Sequence, residues 1–148
     1  MSATLTHRTL AAAADELLHE TAALRAIVCE DAPGDRPIHV ETLCEDAANL
    51  HDAARELRGA LPDVAAASDR FLDADACLGG IDSRERMRGL DEVLLPRGGG
   101  WHPWIGVMRD EVRRCRAATR DVATALIRSW REQAPRPAGV HDIPRRSE

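Results

Sequence analysis

Apolar residues recur along this chain at steps of three and four, with almost no strand-type alternation, and that spacing predicts helices throughout. The longest register is Ile105, Met108, Val112, Cys115, Thr119, Val122, Leu126 and Trp130, which holds one helical face for about seven turns. It opens from Gly98-Gly-Gly-Trp-His-Pro-Trp-Ile105. Pro103 suits a first-turn position, because the amide it lacks would have no partner inside the helix there. A helix is therefore predicted from this stretch to about Gln133.

Earlier registers are similar. Leu10, Ala14, Leu17, Thr21, Leu24 and Val28 define a first helix, capped by Thr4 or Thr6 and ending near Cys29. Asp31-Ala-Pro-Gly-Asp-Arg-Pro37 reads as a turn. From about Ile38 a second helix carries Val40, Leu43, Ala47, Leu50, Ala54, Leu57 and Leu61 on one face. Gly59 and Pro62 interrupt it, although the apolar phase continues through Val64, Ala67, Phe71, Ala74 and Leu78. One kinked helix of about 40 residues would span about 60 Å and outreach the first helix. A break at Pro62 packs more compactly and is the favoured reading, since proline disfavours helical geometry in the residue before it.

Gly79-Gly80 is expected to end the third helix. Asp82 with Glu85 resembles a capping box for a short helix through Leu95, with Met87, Leu90 and Leu94 on one side. The fold class expected is all-α: an antiparallel bundle of four main helices plus that short one, with residues 1–133 as one domain. The Pro-rich segment 134–148 has no apolar period and is expected to be a flexible tail.

Composition supports one domain. A chain of 148 residues can bury roughly two-thirds of its unfolded surface. One Phe, three Trp and no Tyr leave a core that must close by tight packing of Ala and Leu. Every basic residue is arginine, a mark of GC-rich, bacterial-type coding composition more simply than of guanidinium chemistry. Cys29, Cys44, Cys77 and Cys115 form no C-x-x-C pair. No apolar run approaches membrane-spanning length, and no basic segment followed by an apolar core opens the chain. Together these features suggest a cytoplasmic protein with reduced thiols and no membrane partner.

Charge is lopsided. Residues 1–80 carry six arginines against fifteen acids, whereas residues 101–133 carry seven against four. Arg109, Arg113, Arg116 and Arg120 recur at three- and four-residue spacing and share a side of the last helix. That row can pair with acidic neighbours in the bundle, or grip a partner. Nucleic acid is not the expected partner: the net charge is −5, no aromatics interleave the basic row, and no helix-turn-helix signature is present.

No catalytic constellation is legible. Glu16-Leu-Leu-His19 matches half of a di-iron bundle motif, but only once and flanking the stripe, so both residues should face water. Gly98-Gly-Gly100 lacks the Lys-Ser/Thr of a phosphate loop. His51 beside Asp52 reads as an exposed pair. Bundle topology would bring Cys29, His39, Cys44, Cys77 and His102 toward one end, a conceivable zinc set. Structural zinc sites favour close-spaced ligand pairs, however, and each cysteine sits on or beside an apolar stripe, as buried cysteines do. No metal and no cofactor are expected.

The reading that remains is a non-enzymatic helical interaction or regulatory module. Its partner would be another protein or a second copy of the chain. The expected surface is a Trp/Arg face of the last helix: Trp101, His102 and Arg97 at its start, and Arg109, Arg113, Arg116 and Arg120 along it. Trp104 and Trp130 are expected in the core. The alternative is a metal- or ligand-holding bundle using the Cys/His set.

Overall fold

A computed structural model describes residues 8–31, 38–83 and 103–133. They form four helices: α1 (Leu10–Cys29), α2 (Ile38–Gly59), α3 (Val64–Ile81) and α4 (Pro103–Gln133). The described residues contain no strand, and the fold is all-α. α1 packs against α2 and α4, and α3 against the same two, a contact pattern consistent with a bundle.

Helix ends follow local chemistry. Thr9, not Thr4 or Thr6, caps α1: its side chain accepts from Ala12 N at 3.1 Å. Proline and glycine end α2, as expected, and the phase is not carried through as a kinked helix. The chain turns at 60–63, and Asp63 caps α3 by accepting from Ala65 N (3.0 Å) and Ala66 N (3.2 Å). Gly79-Gly80 does not stop α3. The helix runs on to Ile81, because that side chain is fully buried and extends the stripe of Ala74 and Leu78. The short helix expected from Asp82 to Leu95 and the tail 134–148 lie outside the described residues, apart from Asp82 and Ser83.

Contacts at the helix ends fix the neighbours. Cys29, last in α1, is disulfide-bonded to Cys44 in the second turn of α2. Arg58 near the end of α2 reaches Asp15 in α1 at 2.6 Å. Arg70 of α3 meets Glu56 of α2 at 3.4 Å. The guanidinium of Arg128, late in α4, donates to Arg8 O just before α1. Trp104, second in α4, donates its indole N–H to Ile27 O at 2.8 Å. Ile27 lies in the last turn of α1, where carbonyls have no intrahelical donor, so the indole closes that end of the ladder.

The core is built as the sequence implies, from Ala and Leu. Leu17, Leu24, Leu43, Leu50 and Leu57 are fully buried, with Ala13, Ala47, Ala54 and Ala67 between them. Each buried leucine contributes about 1.5–3 kcal/mol over its exposed state. Two apolar clusters result, one around Leu24, Leu43 and Met108, the other around Leu17, Leu57 and Val122. Trp104 plugs the first. Trp130 departs from the expectation: it is 47% exposed, with its indole donating to Ser68 Oγ at 2.9 Å. The apolar face of α4 has drifted out of the core by its eighth turn, beyond the last buried residue, Leu126.

Candidate interaction face

The arginine row lies along the seam between α3 and α4. This is the most sparsely packed of the helix contacts. Near the start of α4, Asp82, Arg109, Val112, Arg113 and Arg116 line a cleft of about 110 Å³. Further along, Phe71, Asp75 and Leu78 of α3 face Arg116, Arg120 and Ala123 of α4 across a groove of about 340 Å³. Arg109, Arg113 and Arg116 line the first cleft and Arg116 and Arg120 the second, opposite the wall that α3 supplies.

Their charges are largely engaged within the chain. Arg116 pairs with Asp82, and Arg113 with Asp110 at 2.6 Å. Arg109 is half-buried and also interacts. Arg120 is exposed and has no ion pair among the described residues. Trp101, His102 and Arg97, the remaining members of the expected face, lie outside those residues.

Beyond the groove the seam turns apolar. Ile127 and Trp130 continue the helical line of Arg116, Arg120 and Ala123 on α4, and Leu72 continues the α3 wall one turn from Ser68. Leu72 is 60% exposed and Ile127 53%. Sequence reasoning assigned Trp130 to the core and passed over Leu72 and Ile127. The signal was available: Leu72 lies beside the stripe carrying Ala67, Ala74 and Leu78, and Ile127 lies off the register that ends in Leu126.

The bundle-end cysteine set is overturned as a metal site. Cys29 and Cys44 are joined, with Cα atoms 5.0 Å apart, so neither offers a thiolate, and the expectation of reduced thiols fails for both. With it goes the cysteine argument for a cytoplasmic setting. Cys77 packs against the first apolar cluster. The side chain of His39 and all of His102 lie outside the described residues. Among those residues no group of three His, Cys, Asp or Glu is placed to hold a metal. Burial raises the Cys115 thiol far above its usual range and also raises that of Cys77, where Asp46 and Asp73 add to the effect. Neither is a ready nucleophile at neutral pH.

Two polar contacts inside the bundle were missed. His51 is not an exposed partner of Asp52: its Nδ1 lies 3.0 Å from Thr21 Oγ1 in the α1–α2 contact. The single hydroxyl proton of Thr21 goes to Leu18 O at 3.1 Å, so His51 Nδ1–H is the donor to Thr21. Burial holds the His51 pKa below its usual value, helped by Arg25 and Arg55 and opposed by Asp52.

The other contact joins α1 to α4. Glu111 is 4% exposed and sits within the apolar stripe, three residues after Met108 and four before Cys115. Arg114 Nε donates to its Oε1 at 3.1 Å, while Oε2 is buried without a donor. Hydrogen bonding with Glu111 raises the Glu20 carboxyl above its usual range, and burial adds to the rise. A protonated Glu20 carries a hydroxyl able to donate to Oε2, which an ionised Glu20 lacks.

Glu16 pairs with Arg8 at 3.8 Å and His19 is exposed, so the isolated Glu-x-x-His motif is a surface feature. No helix among the described residues is long and apolar enough to cross a membrane. In comparisons with known proteins, no family model, curated protein or solved structure matches the chain, so its function must be read from these residues themselves.

Proposed function

We propose that this chain is a non-enzymatic helical module that works through protein–protein contacts made by the α3–α4 face. Residues 1–133 act as one domain, and the four helices run antiparallel in an up-down-up-down order. The terminal pairings Cys29–Cys44, Trp104–Ile27 and Trp130–Ser68 support that order. The observation that carries the functional reading is the exposure of Leu72, Ile127 and Trp130 beside an arginine-walled groove. Monomer surfaces scatter apolar side chains singly, whereas Trp and Arg grouped beside apolar residues are the composition of contact surfaces.

The test places a photo-crosslinking residue at Ile127 and, as a control, at the exposed Glu45 of α2. Protein adducts formed at position 127 but not at 45, and lost on Trp130→Glu, are expected. Equal adduct formation at both positions, or none at 127, would remove this face as the working surface.

A further inference from the structure

We propose that the partner of this face is a second copy of the chain, related by a two-fold axis running along the α3–α4 groove. This deepens the interaction reading above and rests on it.

The two walls of the groove carry opposite charge. On α3 the groove wall presents the exposed Asp75, whereas Asp73 is paired with Arg70, which also reaches Glu56 on the α2 side. On α4 the groove wall presents Arg113, Arg116 and Arg120. Asp75 on one wall and Arg120 on the other are self-complementary under a two-fold rotation, because the axis lays α3 of each copy over α4 of the other.

Register strengthens the case. The Ser68–Trp130 and Asp82–Arg116 contacts agree on which levels of α3 and α4 lie side by side. Asp75 is then level with Ala123, one turn from Arg120, and Leu72 is level with Leu126–Ile127. A two-fold axis parallel to the helices preserves those levels. It brings Asp75 of one copy within reach of Arg120 of the other, since an arginine side chain spans more than the rise of one turn. It also sets Leu72 of one copy against Ile127 and Trp130 of the other. Both sets of contacts occur twice, as an isologous interface requires. Within one chain Asp75 and Arg120 line opposite walls, and neither has an ion pair among the described residues. A like-charged or wholly basic partner would meet repulsion from one wall. A copy of the same face meets none.

Sedimentation equilibrium on the full chain tests this, with concentration and salt varied. The wild type should behave as a dimer of the 16.2 kDa chain, and dissociation should increase with salt. Ile127→Arg should raise the dimer Kd by about a hundredfold or more, and Arg120→Asp or Asp75→Arg each by about tenfold. The double swap Arg120→Asp/Asp75→Arg should recover most of the loss. All three positions are on the surface, and unchanged melting of the diluted variants confirms that folding is intact. A monomer at every concentration overturns the inference, as does a dimer indifferent to Ile127→Arg. If such a monomer still forms adducts at position 127 with a different protein, the partner assigned here is wrong and the interaction face stands. If neither occurs, both readings fall.

Discussion

Replacing Glu20 by glutamine should stabilise the fold at neutral pH and do nothing in acid. Glu111 Oε2 is buried without a donor, and Glu20 is the group beside it on α1. When Glu20 is ionised, an orphaned acceptor remains inside the α1–α4 contact. When Glu20 is protonated, its hydroxyl can donate. Glutamine has nearly the same shape and carries amide protons at every pH, so it imitates the protonated acid permanently. An unsatisfied buried polar group costs about 1–3 kcal/mol. Glu20 is only partly buried, so water relieves some of this, and the expected gain is about 1–2 kcal/mol. For a chain of this size the gain corresponds to a rise in Tm of about 2–8 °C.

The pH dependence separates this mechanism from effects that do not depend on the ionisation of Glu20. The folded-state pKa of Glu20 is raised, so the stabilisation from its proton is complete below the unfolded value of about 4.5 and is lost as pH rises through the folded value. The neighbours that bear on it are Glu16 and His19 on α1 and Glu111 and Arg114 on α4. Urea unfolding followed by circular dichroism should therefore show Glu20→Gln and wild type converging near about pH 4 and separating by the full amount near about pH 8. Glu45→Gln, exposed on α2, is the control. A gain of equal size at both pH values would mean that the substitution acts through something other than the ionisation of Glu20. A loss at high pH would mean that Glu111 already has its donor.

The other predictions concern the links that hold the helices to one another. Reducing Cys29–Cys44, or replacing both by alanine, should lower stability by about 3 kcal/mol, the loop-closure value for about 15 residues; a urea midpoint unmoved by reductant would refute the cross-link. Trp104→Ala should cost about 3–5 kcal/mol, because it empties a core site and uncaps Ile27 O, whereas Trp130→Ala measured on the dilute chain should cost under about 1. Equal losses would place both rings in the core. His51 has a lowered folded pKa, so its contribution is present above about pH 6.5 and is lost as pH falls through the folded value; His51→Gln should flatten the pH 7 to 5 slope of stability, and an unchanged slope would assign it elsewhere.

The helices were legible because burial is periodic. Every member of the α1 register from Ala14 to Val28 is buried, as is every member of the α4 register from Ile105 to Leu126. Pro103 sits at the first position of α4, where its missing amide costs nothing. The misreadings have specific physical causes. Glycine pairs end helices when no downstream side chain holds them, but Ile81 is pulled into the core and carries α3 past Gly80. Trp130 was assigned by counting a stripe to its last member, whereas 3.6-residue periodicity drifts against a fixed face over eight turns. The disulfide depends on two cysteines 15 residues apart being presented at facing helix ends, a relation set by the turn between α1 and α2 that no local pattern encodes. Glu111 is the reverse case. Its spacing from Met108 and Cys115 placed it on the buried face, and its polarity alone argued that it should be elsewhere.

That polarity bears on how the bundle divides its labour. The α1–α2 seam carries a disulfide and the Thr21–His51 bond, and the α1–α4 seam carries the Trp104 cap and the Glu20–Glu111–Arg114 contact. Apart from the exposed Arg114, these join groups that are buried or half-buried, where exchange of partners with water is costly. Among the described residues, polar links across α3–α4 include the pairing of Arg116 with Asp82 and the Trp130–Ser68 bond, and both involve exposed side chains. Exposed pairs of this kind contribute only about 0–1 kcal/mol. Substitutions at Leu72, Arg120 or Ile127 should therefore leave the rest of the bundle standing. Association and stability can then be measured as separate quantities, and a variant that loses one while keeping the other is informative whichever way it falls.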